Sequence, residues 1–228
     1  KAGVLDADSK LCVAKFPSRN DTYDVALWEY HSHLLAKESG VLAAETNVIP
    51  SGDQYHVLLS KRFDRTDAGK RRHFASAMTL LGLSDGCNAS TGNGYLDIVD
   101  FILQNCCDVE INLHQLYRRV AFNIAIGNSD DHFRNHGFLL TPRGWTLSPA
   151  YDLNPTLNEY QALLINSSTN KADLNVLLAS SEEYMIDKTV AQTIINEVKD
   201  GVKKWKTIAH RLGIPKREID EFEQVYER

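Results

Sequence analysis

With 228 residues, the chain is long enough to bury a sizeable core, as one large domain or two small lobes. Apolar residues make up 43% and charged residues 24%, the composition of a soluble globular protein, and a net charge of −5 argues against a surface built to coat nucleic acid, though not against a local basic patch. No apolar run approaches the roughly 18 residues of a membrane span and no signal peptide is visible, so no membrane contact is expected and the default compartment is cytoplasmic.

The cysteines are Cys12, Cys87 and the adjacent Cys106 and Cys107; none forms a Cys-x-x-Cys pair, so neither a disulfide framework nor a zinc site is suggested. The chain opens at Lys1-Ala2-Gly3-Val4 without a methionine and reads as a fragment entered midway. Residues 11–16 alternate as a strand, with Cys12, Ala14 and Phe16 on one face and Leu11, Val13 and Lys15 on the other. A lysine among apolar neighbours either snorkels to water from an edge or serves a buried anion. Asp24 is an N-cap for a helix through Val25, Trp28 and Leu35 that stops at Gly40, and Glu29 in its second turn is within reach of Lys15. Residues 41–60 read as strands and turns, with a loop from Asn47 to Asp53 and a strand over 55–59.

The basic cluster Arg71-Arg72-His73 precedes a helical stretch over 74–81, and is either a contact for phosphate or anionic substrate or a solvated helix start. Residues 82–94, rich in Gly, Ser, Asn and Asp, read as a mobile loop. Helical spacing resumes over 95–106 through Ile98, Ile102 and Leu103, with Cys106 and Cys107 packing as small hydrophobes. A second helix follows through Leu113, Leu116, Tyr117, Val120, Ala121 and Ile124, with Asn112 placed to cap it and Gly127-Asn128 to stop it. The polar run Ser129-Asp130-Asp131-His132-Phe133-Arg134-Asn135 comes next, then a hairpin over 137–147 turning at 141–144, which delivers Tyr151 and Asp152. Polar loops occupy the region around 154–171. Asp187 caps a helix through Val190, Ile194 and Val198 toward Trp205 and Leu212, ended by Gly213; Ile214-Pro215 opens a last helix to Tyr226.

The polar run carries the chemistry. Asp130 and Asn135 are five apart, the spacing in the protein-kinase catalytic loop between the Asp that takes the substrate hydroxyl proton and the Asn that holds magnesium. Phosphoryl transfer requires these types, a carboxylate to orient the hydroxyl and hard oxygen ligands for Mg²⁺. Asp152 lies 22 residues beyond Asp130, across a hairpin, where a kinase places its second metal-binding Asp. Kinases also use a strand lysine, steadied by a helix glutamate, to grip the phosphates; Lys15 and Glu29 fit those parts. His132 either donates to the transferring group or shapes the loop. Arg134 suits a phosphate or a nearby acid, and Asp131 is expected to face water. By position, Lys61, Arg62 and Phe63 end the strand that offers backbone to adenine. A rival assignment makes Asp130, His132 and Asp152 ligands of a transition metal in a hydrolase, but neither His-x-x-x-His nor Glu-x-x-His spacing accompanies them.

The pattern Gly127-Asn128-x-Asp130-x-His132-x-Arg134-Asn135, followed by Leu147-x-Pro149-Ala150-Tyr151-Asp152-Leu153, resembles the signature of the HipA family. Val13-Ala14-Lys15-Phe16-Pro17-Ser18, Trp28-Glu29 and Arg62-Phe63-Asp64-Arg65 are similar to that family too, in the same order. The resemblance implies a bacterial serine/threonine kinase, often the toxin of a toxin–antitoxin pair. It also implies ATP and Mg²⁺ as cofactors, a protein substrate, a DNA-binding antitoxin partner, and a glycine-containing loop and small subdomain preceding Lys1. Ordinary kinases carry His-Arg-Asp and Asp-Phe-Gly where this chain has Asn128-Ser129-Asp130 and Tyr151-Asp152-Leu153, so their substrate rules do not transfer. The expected architecture is α+β, a protein-kinase-like two-lobe fold with a truncated small β lobe over 1–61 and a mainly helical large lobe over 62–228. Asp130 and His132 are its catalytic residues; Lys15, Glu29, Lys61, Arg62 and Phe63 bind nucleotide; Asn135 and Asp152 bind nucleotide and metal. The alternatives are a catalytically inactive kinase-like binding module and the metal-dependent hydrolase; in no case is direct nucleic-acid binding expected.

Overall fold

A computed structural model describes residues 1–52, 55–66, 68–156 and 158–227. Strands β1 (Ala2–Leu5) and β2 (Leu11–Lys15) lead to helix α1 (Val25–Glu38), then to strands β3 (Thr46–Ser51) and β4 (Tyr55–Lys61). These four strands form one antiparallel sheet in the order β1-β2-β4-β3. In β2 the alternation holds: Cys12 and Ala14 are buried, while Val13 and Lys15 face the opposite side. Helix α1 starts where Asp24 accepts a hydrogen bond from the Leu27 amide at 3.0 Å, and it ends before Gly40, whose φ of +69° suits glycine.

The remainder is mostly helical. Strand β5 (Phe74–Ser76), helices α2 (Ala77–Leu80), α3 (Tyr95–Asn105) and α4 (Val109–Ala125), and hairpin strands β6 (Gly137–Thr141) and β7 (Gly144–Leu147) come first. Helices α5 (Leu174–Ala179), α6 (Lys188–Val202), α7 (Trp205–Arg211) and α8 (Lys216–Tyr226) complete the chain. One apolar core runs from Trp28 and Leu35 of α1 through Tyr117 and Val120 of α4 to Ile195 and Val198 of α6. The last helices cap α1: the Trp28 ring lies 4.2 Å from Phe222 and donates its N–H to Glu218 at 2.8 Å, and Trp205 stacks on Tyr226 at 4.6 Å.

Four expectations need correction. The loop expected from Asn47 is strand β3, with Pro50 opposite His56; Asp53 lies outside the described residues. Polar residues and a proline resemble a loop, yet β3 is a sheet edge, where proline withdraws no needed donor. The helix expected over 74–81 begins only at Ala77, because Phe74 pairs with Leu139 of β6 and Ser76 caps α2 through the Thr79 amide. Asn112 does not precede α4 but sits inside it; its side-chain amide reaches back to the Cys107 and Asp108 carbonyls (2.6 and 3.0 Å) while its oxygen accepts from the Leu147 amide at 2.7 Å. The single long helix toward Leu212 is two helices, α6 and α7, with a turn at Lys203 and Lys204. Residues 82–94 contain a short 3-10 turn, Ala89–Thr91, and are anchored by the Ala89 and Tyr95 amides to the Ala162 and Leu164 carbonyls.

Two histidines of α1 are fully buried. His31 donates to the Trp205 carbonyl at 2.9 Å, and burial lowers it to about 4; burial, reinforced by Lys15, lowers His33 to about 3. Both are neutral in the folded chain at neutral pH, whereas the unfolded chain protonates them below about 6.5. Stability from this source is therefore complete above that pH and falls on acidification, by about 1.4 kcal/mol per pH unit per histidine. Urea denaturation at pH 7 and pH 5 should register the loss, and His33→Gln should reduce the slope; a flat profile over that interval would contradict it.

Candidate active site

Lys15 ends β2 on the face opposite the buried Cys12 and Ala14, and points at a cleft of about 470 Å³. Glu29 reaches the same cleft from α1, and Asp152 from the segment that follows the hairpin. Lys15 Nζ lies 2.5 Å from Glu29 Oε1 and forms a second ion pair with Asp152 Oδ1. Burial pulls the lysine pKa down, but the two carboxylates outweigh it and hold it above the ordinary value. Burial of Asp152 acts upward, and Lys15 and then Lys1 (3.4 Å) outweigh it, so its pKa lies below the usual range. Glu29 is almost wholly enclosed; there burial dominates over Lys15 and raises its pKa. Asp152 has φ +60°, a left-handed conformation uncommon for a non-glycine residue. Such a conformation persists where surroundings over-determine it, here through Lys15 and the Asn154 amide at 3.1 Å from Oδ1.

The polar loop contributes His132, Arg134 and Asn135 to the cleft lining. Asn135 Nδ2 donates to the Asp130 carbonyl at 3.1 Å, which leaves its Oδ1 as the atom it can offer a cation. Asp130 itself is exposed beside the cleft and is not among the lining residues. Arg134 finds the nearby acid, an ion pair with Asp85. Phe63 lies 5.5 Å from Phe74 and 5.7 Å from Tyr151, an aromatic wall on one side of the cleft. Arg62 lines the cleft with its guanidinium held by Asp64, and Lys61 pairs with Glu45 at 2.9 Å.

Asp131 does not face water. It is 2% exposed, and its Oδ2 accepts from Tyr95 Oη (2.8 Å), Asn123 Nδ2 (2.7 Å) and His136 Nε2 (2.8 Å). Burial raises its pKa, but His136, Tyr95 and the buried Arg119 outweigh this and leave it low. The network pins the loop from beneath: α4 supplies Arg119 and Asn123, α3 supplies Tyr95, and His136 closes the loop's far end. Two polar residues four apart beside the apolar positions of α4, Arg119 and Asn123, are the available signal. Gly127 completes the turn into the loop with φ +68°, where a Cβ would lie 2.6 Å from Val225 Cγ1 and 2.8 Å from the Thr156 carbonyl oxygen.

The donors present fit Mg²⁺, a hard ion commonly held by one or two carboxylates, amide oxygens and substrate phosphates. Among the described residues no group of three His, Cys, Asp or Glu side chains is placed to hold a metal ion. Nor is any described helix long and apolar enough to cross a membrane.

A family model for the HipA-like C-terminal domain matches residues 1–218. The serine/threonine-protein kinase toxin HipA of Shewanella oneidensis is 30% identical over 142 residues, which cover 55% of this chain and 33% of that protein. The chain thus spans about a third of that curated relative. Among solved structures, HipA of Shewanella oneidensis MR-1 in its toxin–antitoxin complex with HipB and operator DNA matches with a TM-score of 0.74 at 18% identity, over 95% of this chain and 56% of that one. The Helicobacter pylori proinflammatory kinase CtkA matches with a TM-score of 0.55 at 14% identity, over 92% of this chain and 93% of that one. At these identities the likeness is one of fold, and it bears out the expected protein-kinase-like α+β architecture.

The two neighbouring aspartates should separate in a stability measurement. Asp131→Ala strands three buried donors and leaves the buried Arg119 charge uncompensated, and should lower the unfolding free energy by roughly 3–5 kcal/mol. Asp130→Ala, at an exposed position, should change it by less than about 0.5 kcal/mol. Equal effects in chemical denaturation would remove Asp131 as the floor of the loop.

Proposed function

The chain belongs to the HipA-like C-terminal domain family, and from that premise we propose that it is the core of an ATP- and Mg²⁺-dependent serine/threonine protein kinase of the HipA toxin type. The observation that carries this reading is the convergence of Lys15, Glu29 and Asp152 in one cleft that Asn135 and His132 also line. Residues 1–61 act as the small lobe and 62–228 as the large one.

Lys15, steadied by Glu29, grips the α- and β-phosphates of ATP, and the wall of Phe63, Phe74 and Tyr151 receives the adenine, with backbone at Lys61, Arg62 and Phe63 in the hinge position. Asn135 and Asp152 hold the metal, which when bound neutralises charge on the phosphates. Asp130 takes the proton of the acceptor hydroxyl; its exposure suits a base that must meet a second protein. His132 faces the cleft, where its ring donates to the transferring group or fixes the loop. Because the transition state is loose, positioning and charge neutralisation supply most of the acceleration. A cytoplasmic setting and a DNA-binding antitoxin partner, as in the HipA–HipB–operator assembly, belong to the same reading.

Calorimetry of the intact protein with ATP should show affinity that depends on Mg²⁺ and is weakened by Lys15→Met and Asp152→Asn; an inactive binding module would show no metal dependence. Asp130→Asn should leave nucleotide binding unchanged while reducing phosphotransfer about 10²–10⁴-fold. Full transfer by that variant would refute the role given to Asp130.

A further inference from the structure

The ribbon that follows β4 is strongly basic in an acidic protein. Residues 61–73 hold six lysines and arginines against two aspartates, in a chain of net charge −5. The ribbon is closed by the Thr66 amide on the Lys70 carbonyl and the Arg72 amide on the Asp64 carbonyl, both at 2.9 Å, with Arg65 bridged to Arg71. The Asp64 side chain is buried and engaged by both Arg62 and Arg65, so its charge is already neutralised inside the ribbon. Arg71, Arg72 and His73 are exposed, and neither Arg71 nor Arg72 is paired with a carboxylate among the described residues.

Arg65, Arg71, Arg72 and His73 line a trough of about 580 Å³ that shares Arg62, Asp64 and Phe74 with the wall of the nucleotide cleft. Holding unpaired guanidinium groups side by side on a closed ribbon costs free energy, and an incoming anion relieves it. The planar guanidinium fork matches carboxylates two oxygens at a time. A duplex backbone would demand a longer cationic stripe, since DNA-binding surfaces commonly neutralise six or more phosphates, and among the described residues the trough offers Arg71 and Arg72 as its unpaired arginines.

We propose that this trough docks an acidic segment of the acceptor protein, receiving its carboxylates on Arg71, Arg72 and His73 and thereby presenting a nearby hydroxyl to the cleft. The identity of the occupant as the phosphoryl acceptor rests on the kinase reading; the docking itself does not.

The test uses the intact protein and two labelled probes, a peptide with one serine beside a run of glutamates and its glutamine counterpart, followed by fluorescence anisotropy at low and high salt. The glutamate peptide should bind, weaken with salt, and lose roughly tenfold or more in affinity with Arg71→Glu/Arg72→Glu or the milder Arg71→Ala/Arg72→Ala. Reversal of the exposed Lys216 and Arg217 on α8 should change nothing. Equal binding of the two peptides, indifference to both arginine variants, or tighter binding of a duplex DNA than of the glutamate peptide would overturn the proposal. Calorimetry with ATP and Mg²⁺ on the same samples separates the two readings: peptide docking without nucleotide binding would retain the trough and remove the kinase, and the converse would remove the trough alone.

Discussion

The ammonium group of Lys15 lies between two carboxylates that are 14 and 137 residues away in sequence. A largely buried charge must be paired, and removing one partner leaves the others uncompensated at a cost of several kcal/mol. That requirement couples three independent pieces of chain: β2, α1 and the segment after the hairpin. Each arrives by its own local device. β2 alternates so that Val13 and Lys15 face the cleft; Asp24 sets where α1 begins and hence where Glu29 falls; Asp152 occupies a left-handed conformation that its partners stabilise. The far side of α1 is fixed by Trp28 against Phe222, so Glu29 cannot drift from the lysine without disturbing a packed core.

A second buried charge organises the loop beyond α4, and comparing the two shows what each is for. Asp131 is sealed, with three donors on one oxygen and no route to water. Asp152 is 27% exposed at its side chain and borders the cleft. A sealed, satisfied carboxylate has no reason to exchange partners and acts as a fastening. One that is partly open, held by Lys15, Lys1 and an amide, can trade those partners for a ligand. Adjacent residues divide the same way: Asp130 outside, Asp131 beneath, with Asn135 tied to the Asp130 backbone between them.

Much of this was legible because it depended on local rules. The alternation of β2, the Asp24 cap, the hairpin and the Lys15–Glu29 pairing each follow from a short window of residues. What was not legible depended on tertiary burial. Nothing in the run Asp130-Asp131 distinguishes the exposed acid from the enclosed one; only the approach of Tyr95, Asn123 and His136 does. Strand β3 was obscured because an edge position excuses Pro50, and Asn112 was read as a cap because its chemistry is that of a cap, exercised from inside the helix. The break between α6 and α7 is marked only by Gly201, two residues before the turn, and that glycine also serves a close approach to Ser39; beyond the turn Trp205 packs against Tyr226.

The wall between cleft and trough connects these parts. Phe63, Phe74 and Tyr151 form one aromatic group, and Tyr151 immediately precedes Asp152 while its hydroxyl donates to the Arg134 carbonyl at 2.7 Å, in the polar loop. On the other side the ribbon is tied to the hairpin through the Leu140 amide and the His73 carbonyl at 2.9 Å, and its own interior is clamped by Asp64 between two arginines. The ribbon and the segment that carries Asp152 therefore meet at one wall. The basic ribbon and the lysine-bridged acids are thus two electrostatic fields of opposite demand, one seeking an anion and one already holding two, separated by no more than a layer of rings.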